Sequence, residues 1–180
     1  GKTSTSNLIT MLSNPGVAWI RISPEFTIYN DNSRTHMKWS SVTSYFPTNG
    51  LNGSGQLIAV ADTGIDHDHG DFGNRISSKH DVINDGGKTG DKWSGHGTHV
   101  ACTVLGDGTR GGYAGVAPEA ELYFQAMEDD DNGDFYSPSI TSLLGNAYTA
   151  GARIHSNSWG SFGTSSQGAY TSESEDVDDK

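Results

Sequence analysis

Hydrophobic positions in this chain fall into short runs separated by long polar, glycine-bearing stretches. Leu57-Ile58-Ala59-Val60-Ala61 is a continuous apolar run of strand length, the pattern of a strand buried on both faces of a parallel sheet. Glu121-Leu122-Tyr123-Phe124-Gln125-Ala126 predicts a second strand, and Arg153-Ile154-His155-Ser156-Asn157 a third. A helix is expected from His96 through Val104. Ile140, Leu143, Leu144, Ala147 and Tyr148 fall at helical spacing in another, opened by Ser137-Pro138 as cap and first-turn proline and ended by Gly151. Strand and helix in alternation imply an α/β fold on a parallel sheet flanked by helices. Nearer the N-terminus, Leu8, Ile9, Met11 and Leu12 predict a short helix broken by Asn14-Pro15-Gly16, then an extended segment ended by Pro24. Asn30-Asp31-Asn32-Ser33 marks a boundary, and the acidic run Glu173, Glu175, Asp176, Asp178, Asp179 predicts the start of a solvated helix.

The length of 180 residues suits one domain with its own core. A formal charge of -11 argues against nucleic acid or an anionic membrane surface as partner, since both repel an acidic protein. No stretch has the apolar length of a membrane span. The single cysteine, Cys102, excludes an internal disulfide framework, and as a small thiol it is read as a packing residue.

The candidate chemistry lies in two segments. Asp62 closes the apolar strand 57–61, where active residues collect in open α/β sheets, and Gly64 lets the chain turn after it. Thirty-four positions later, His96 stands between Gly95 and Gly97, glycines that would let a substrate backbone approach the ring. A carboxylate that orients an imidazole supplies two members of a nucleophilic triad. His99, three residues on, is expected to be packed and hydrogen-bonded in the helix.

Val60-Ala61-Asp62-Thr63-Gly64-Ile65-Asp66 and Gly95-His96-Gly97-Thr98-His99-Val100-Ala101 resemble the aspartate and histidine motifs of the subtilases. Gly115-Val116-Ala117-Pro118 is similar to a loop before a sheet strand, and Asn157-Ser158-Trp159-Gly160 to the family's substrate-binding strand. Ala150-Gly151-Ala152-Arg153-Ile154-His155 is especially similar to the oxidation-stable alkaline subgroup. The resemblance implies a subtilisin-like serine endopeptidase acting on peptides and proteins. In it Asp62 and His96 would be catalytic, while Ser158, Trp159, Gly160 and Gly133 would bind substrate. The family's order of Asp, His and Ser would place the serine at about position 253, beyond Lys180. Ser165, in a Gly-Thr-Ser sequence, falls too early, and Asn157 is not the oxyanion asparagine. Residues 30–180 are therefore expected to form the N-terminal half of a catalytic domain, inactive alone and partnered by its C-terminal half. Residues 1–29 resemble the end of an inhibitory prodomain, with Tyr29 before the cut. The resemblance implies a secreted zymogen.

No cofactor is needed for such catalysis, but a structural calcium ion is an expectation. Asp71 matches a family calcium ligand, although Gly106-Asp107-Gly108-Thr109-Arg110 departs from the asparagine-bearing partner loop. Glu128-Asp129-Asp130-Asp131 and Asp134 could select basic substrate residues, form a solvated loop or bind calcium. His67 and His69 alternate on a loop as surface residues, with a metal pair as the alternative. Two other functions stay open. Asp62-Thr63-Gly64 is also the aspartic protease signature, and a non-catalytic pseudoprotease or peptide-binding module would retain the same motifs.

Overall fold

The computed structural model describes residues 36–39, 41, 51–160 and 168–178. The expected prodomain tail 1–29, the boundary at 30–33 and Ser165 lie outside them. The named elements are β1 (Leu57–Asp62), β2 (Ile76–Asp81), α1 (His96–Leu105), β3 (Glu121–Ala126), α2 (Ile140–Ala150), β4 (Ile154–Asn157) and α3 (Ser172–Asp178). The four strands form one sheet in the order β2-β3-β1-β4, and every pairing is parallel. This is the α/β architecture the alternating pattern predicts.

Strand alternation divides the core into two layers. Ile58 and Val60 join Leu122 and Phe124 on the face that meets Val100, Ala101 and Leu105 of α1. Ala59 and Tyr123 pack with Ala147 of α2 and with Ala152, and Ala61 packs with Met127 and Leu143 of α2. Both faces of β1 are covered, which explains its unbroken apolar run. Val60, Leu105, Leu122 and Phe124 are fully buried, each contributing about 1.5–3 kcal/mol through transfer from water. These contacts make β1 and β3 the centre of the sheet.

Two sequence expectations change. Strand β2 was not foreseen, because Ile76-Ser77-Ser78-Lys79-His80-Asp81 has no apolar run and its middle four residues are exposed. Its place at the edge comes from pairing with β3, while Ile76 alone packs against the core. Helix α2 starts at Ile140 with Ser139 in the cap position, not at Ser137-Pro138, and Ser139 makes no side-chain cap bond. The Ser137 hydroxyl instead donates to the Pro138 carbonyl. Helix α3 forms within the acidic run as expected. Among the described residues no helix is long and apolar enough to cross a membrane.

Candidate active site

The alternation of β1 decides where Asp62 points. It shares parity with Ile58 and Val60, so it lies on the face toward α1, and His96 is the first residue of that helix. Asp62 Oδ1 accepts the hydrogen bond of His96 Nδ1 at 2.6 Å and that of the Thr63 N–H at 2.8 Å. Asp62 Oδ2 has no partner among the described residues. The aspartate side chain is 1% exposed and the histidine 46%, so the carboxylate is sheltered while the ring faces outward. With a carboxylate as acceptor, the imidazole proton sits on Nδ1, and Nε2 is left as the basic nitrogen.

The backbone holds this pair in place. A Cβ on Gly64 would overlap the carbonyl oxygen of Gly90, and one on Gly97 would strike the Gly64 carbonyl and lie 3.0 Å from the Phe124 ring. These glycines therefore bring main chain against main chain. Gly97 is buried, which corrects the substrate access expected there, while Gly64 keeps its place in the turn after Asp62. Gly95 adopts φ 71, a left-handed cap for α1.

Asp91 completes the assembly, and nothing in the sequence reading singled it out. Its Oδ1 accepts from Gly95 N at 2.9 Å and Thr63 Oγ1 at 3.0 Å; Oδ2 accepts from Thr98 N at 2.7 Å and Thr98 Oγ1 at 2.6 Å. Thr63 Oγ1 in turn accepts from Gly97 N at 2.9 Å. One carboxylate thus ties the Asp-Thr-Gly turn to the first turn of α1, where a negative charge suits the helix dipole. A signal was present: an aspartate four residues before the Gly-His-Gly segment is within capping reach. His99, expected to be packed, is exposed, because the buried side of α1 is Gly97, Val100, Ala101 and Leu105.

Asp62 and His96 open onto a cleft of about 810 Å3 that also involves Ser94, Glu128, Gly133, Phe135 and residues 157–160. The predicted residues Gly133, Ser158, Trp159 and Gly160 thus share one cleft with the Asp–His pair. Trp159 donates from Nε1 to the carbonyl of Ala61 at 3.0 Å, anchoring this wall to the residue before Asp62. Gly133, also lining the cleft, has φ 78 and lies so close to Trp93 that a Cβ would come within 2.9 Å of the indole. The acidic loop divides by environment. Glu128 is buried, accepts from Trp93 N at 3.2 Å, and has its carboxyl pushed above the usual range by burial. Asp131 is exposed and pairs with Lys88 at 2.7 Å.

Asp71 is buried beside nitrogen and sulfur. Its Oδ1 accepts from Arg110 N at 2.6 Å, and donor atoms of His69 and Cys102 lie within 4.8 Å. Calcium takes six to eight oxygen ligands, so this donor set does not fit the calcium site that the resemblance implies at Asp71. Cys102 is a half-buried free thiol, pushed up to about 12 by burial and the nearby charge of Asp71. It packs against the core cluster, as expected. His67 is exposed and pairs with Asp68 at 3.6 Å.

The family model described as Subtilase family matches residues 53–180. The major intracellular serine protease of Bacillus subtilis (strain 168) is 42% identical over 87 residues, covering 47% of this chain and 27% of that protein. Subtilisin of Bacillus sp. (strain TA39) is 37% identical over 100 residues, 53% of this chain and 23% of that protein. The chain thus spans about a quarter of the length of these relatives. One of them is named as intracellular, so kinship does not assign a compartment. Among solved structures, the Clostridium perfringens CspB protease superposes with a TM-score of 0.60 at 21% identity, over 83% of this chain and 38% of that one. The psychrophilic subtilisin-like protease Apa1 from Pseudoalteromonas sp. AS-11 does so with a TM-score of 0.52 at 22% identity, over 77% and 32%. These likenesses show a shared fold, and the family match takes in most of the sequence: the chain belongs to the subtilase family.

Proposed function

We propose that this chain supplies the aspartate and histidine of a subtilisin-type serine endopeptidase. His96 acts as general base toward the nucleophile and then as general acid toward the leaving amine, oriented by Asp62. Ser158, Trp159, Gly160 and Gly133, which line the cleft, present backbone to an extended peptide. The observation that carries this reading is the 2.6 Å contact between a buried strand-end carboxylate and an exposed imidazole at the mouth of that cleft. The partner of Asp62 is an imidazole and not a second carboxylate, which disfavours an aspartic protease. In the family's order the serine follows residue 180, and residues 1–180 alone are proposed to be inactive.

The test uses the natural protein that carries this chain. A fluorophosphonate probe should label a serine outside residues 1–180, and His96→Ala should abolish that labelling. Asp62→Asn should lower kcat on a fluorogenic peptide by roughly 10⁴-fold while the protein stays folded. Absence of labelling would support the pseudoprotease, and labelling indifferent to His96→Ala would sink the proposed role of the histidine.

A further inference from the structure

The loop after β1 carries His69 and Asp71, and the second half of α1 carries Cys102, the chain's one cysteine. Cys102 Sγ lies 3.8 Å from His69 Nδ1, and one donor atom from each of the three residues lies within 4.8 Å of the others. A tetrahedral zinc ion with bonds of about 2.3 Å to sulfur and about 2.0 Å to nitrogen sets those two atoms about 3.5 Å apart. The sulfur–nitrogen pair therefore already approximates the required bite, and closure on the carboxylate needs a shift of about 1 Å. The Asp71 N–H donates to His69 Nδ1 at 3.4 Å, which places the imidazole proton on Nε2; a metal at Nδ1 takes over the lone pair that this long hydrogen bond now uses. Asp71 is buried, and its carboxylate retains lone pairs beyond the one taken by Arg110 N.

We infer that His69 Nδ1, the Asp71 carboxylate and Cys102 Sγ form a site for a thiophilic divalent metal ion of the zinc type, with the fourth position open to water. Two anionic ligands, thiolate and carboxylate, balance the charge of the ion, and binding releases the thiol proton to solvent. The site is separate from the Asp62–His96 pair. It joins the β1–β2 loop to α1 through metal bonds, so its role is to fix that loop. The nitrogen and sulfur donors select against calcium and magnesium.

Cobalt(II) is the direct probe, because the chain has one cysteine and any thiolate-to-cobalt charge-transfer band must come from Cys102. Titration of the full chain should give that band at one cobalt per chain. Zinc should displace the cobalt, and calcium at the same concentration should not. Cys102→Ser should lose the band. His69→Gln and Asp71→Asn, with native circular dichroism, should keep a band but bind about tenfold or more weakly. The inference is overturned if no band develops, if calcium displaces cobalt, or if His69→Gln and Asp71→Asn bind as wild type, which would mean that the thiol alone holds the metal.

Discussion

At the residue scale, the relation between Asp62 and His96 depends on a residue that does neither acid nor base chemistry. Asp91 receives four hydrogen bonds from Thr63, Gly95 and Thr98, and so couples both motifs. Replacing Asp91 by Ala leaves those donors without their acceptor at a helix N-terminus. The expected loss is about 2 kcal/mol of stability, measured by denaturant unfolding, with a smaller loss for Asn because it keeps one acceptor oxygen. A change of less than about 0.5 kcal/mol would mean that water replaces the carboxylate without cost. Asp62 and His96 were legible in the sequence because each lies inside a distinctive motif. Asp91 was legible only as a capping position before Gly95, since its tie to Thr63, 28 residues away, arises only on folding. The glycines were legible as a pattern, but the close approach of Gly64 to Gly90 and Gly97 was not, because it is a three-dimensional fact.

At the element scale, β1 and β3 could be read from apolar runs, β4 from its place after the second helix, and α1 and α2 from helical spacing. Strand β2 could not, because an edge strand with exposed side chains needs only backbone pairing and one anchor, Ile76. Strand β4 carries a second polar network. Gln125 Oε1 accepts from His155 Nε2 at 2.8 Å, His155 Nδ1 accepts from Asn157 Nδ2 at 3.0 Å, and Gln125 Nε2 donates to the Leu143 carbonyl at 3.1 Å. His155 is therefore satisfied as the neutral tautomer, and burial lowers its pKa below the ordinary 6.5. Above about pH 6.5 neither folded nor unfolded chain holds this proton, and the stabilisation is fully present. As pH falls from there through the lowered folded value, the unfolded state gains the proton first and stability is lost. Unfolding midpoints from pH 8 down to pH 5 should fall more steeply for wild type than for His155→Gln. Parallel curves would show that His155 is not the group responsible.

For the whole molecule, charge is the dominant long-range property. Twenty-two acidic residues face eleven basic ones. Among the described residues the ion pairs Lys88–Asp131 at 2.7 Å and Arg75–Asp107 at 3.7 Å have at least one exposed partner and are worth little. Self-repulsion should outweigh them. Raising NaCl from about 0.01 to about 0.15 M, which shortens the screening length from roughly 30 to 8 Å, should therefore raise Tm by a few degrees. A flat or falling Tm would mean that the local pairs outweigh the net charge.

The contact of Gly97 with the Gly64 carbonyl has a further consequence, in time rather than in space. Main chain packed on main chain has no rotamers to search, so the relative placement of the Asp-Thr-Gly turn and the first turn of α1 is settled when the domain folds. Whatever step His96 carries out begins from a partner already in position, and the entropy of bringing the two together is met once per molecule instead of once per turnover.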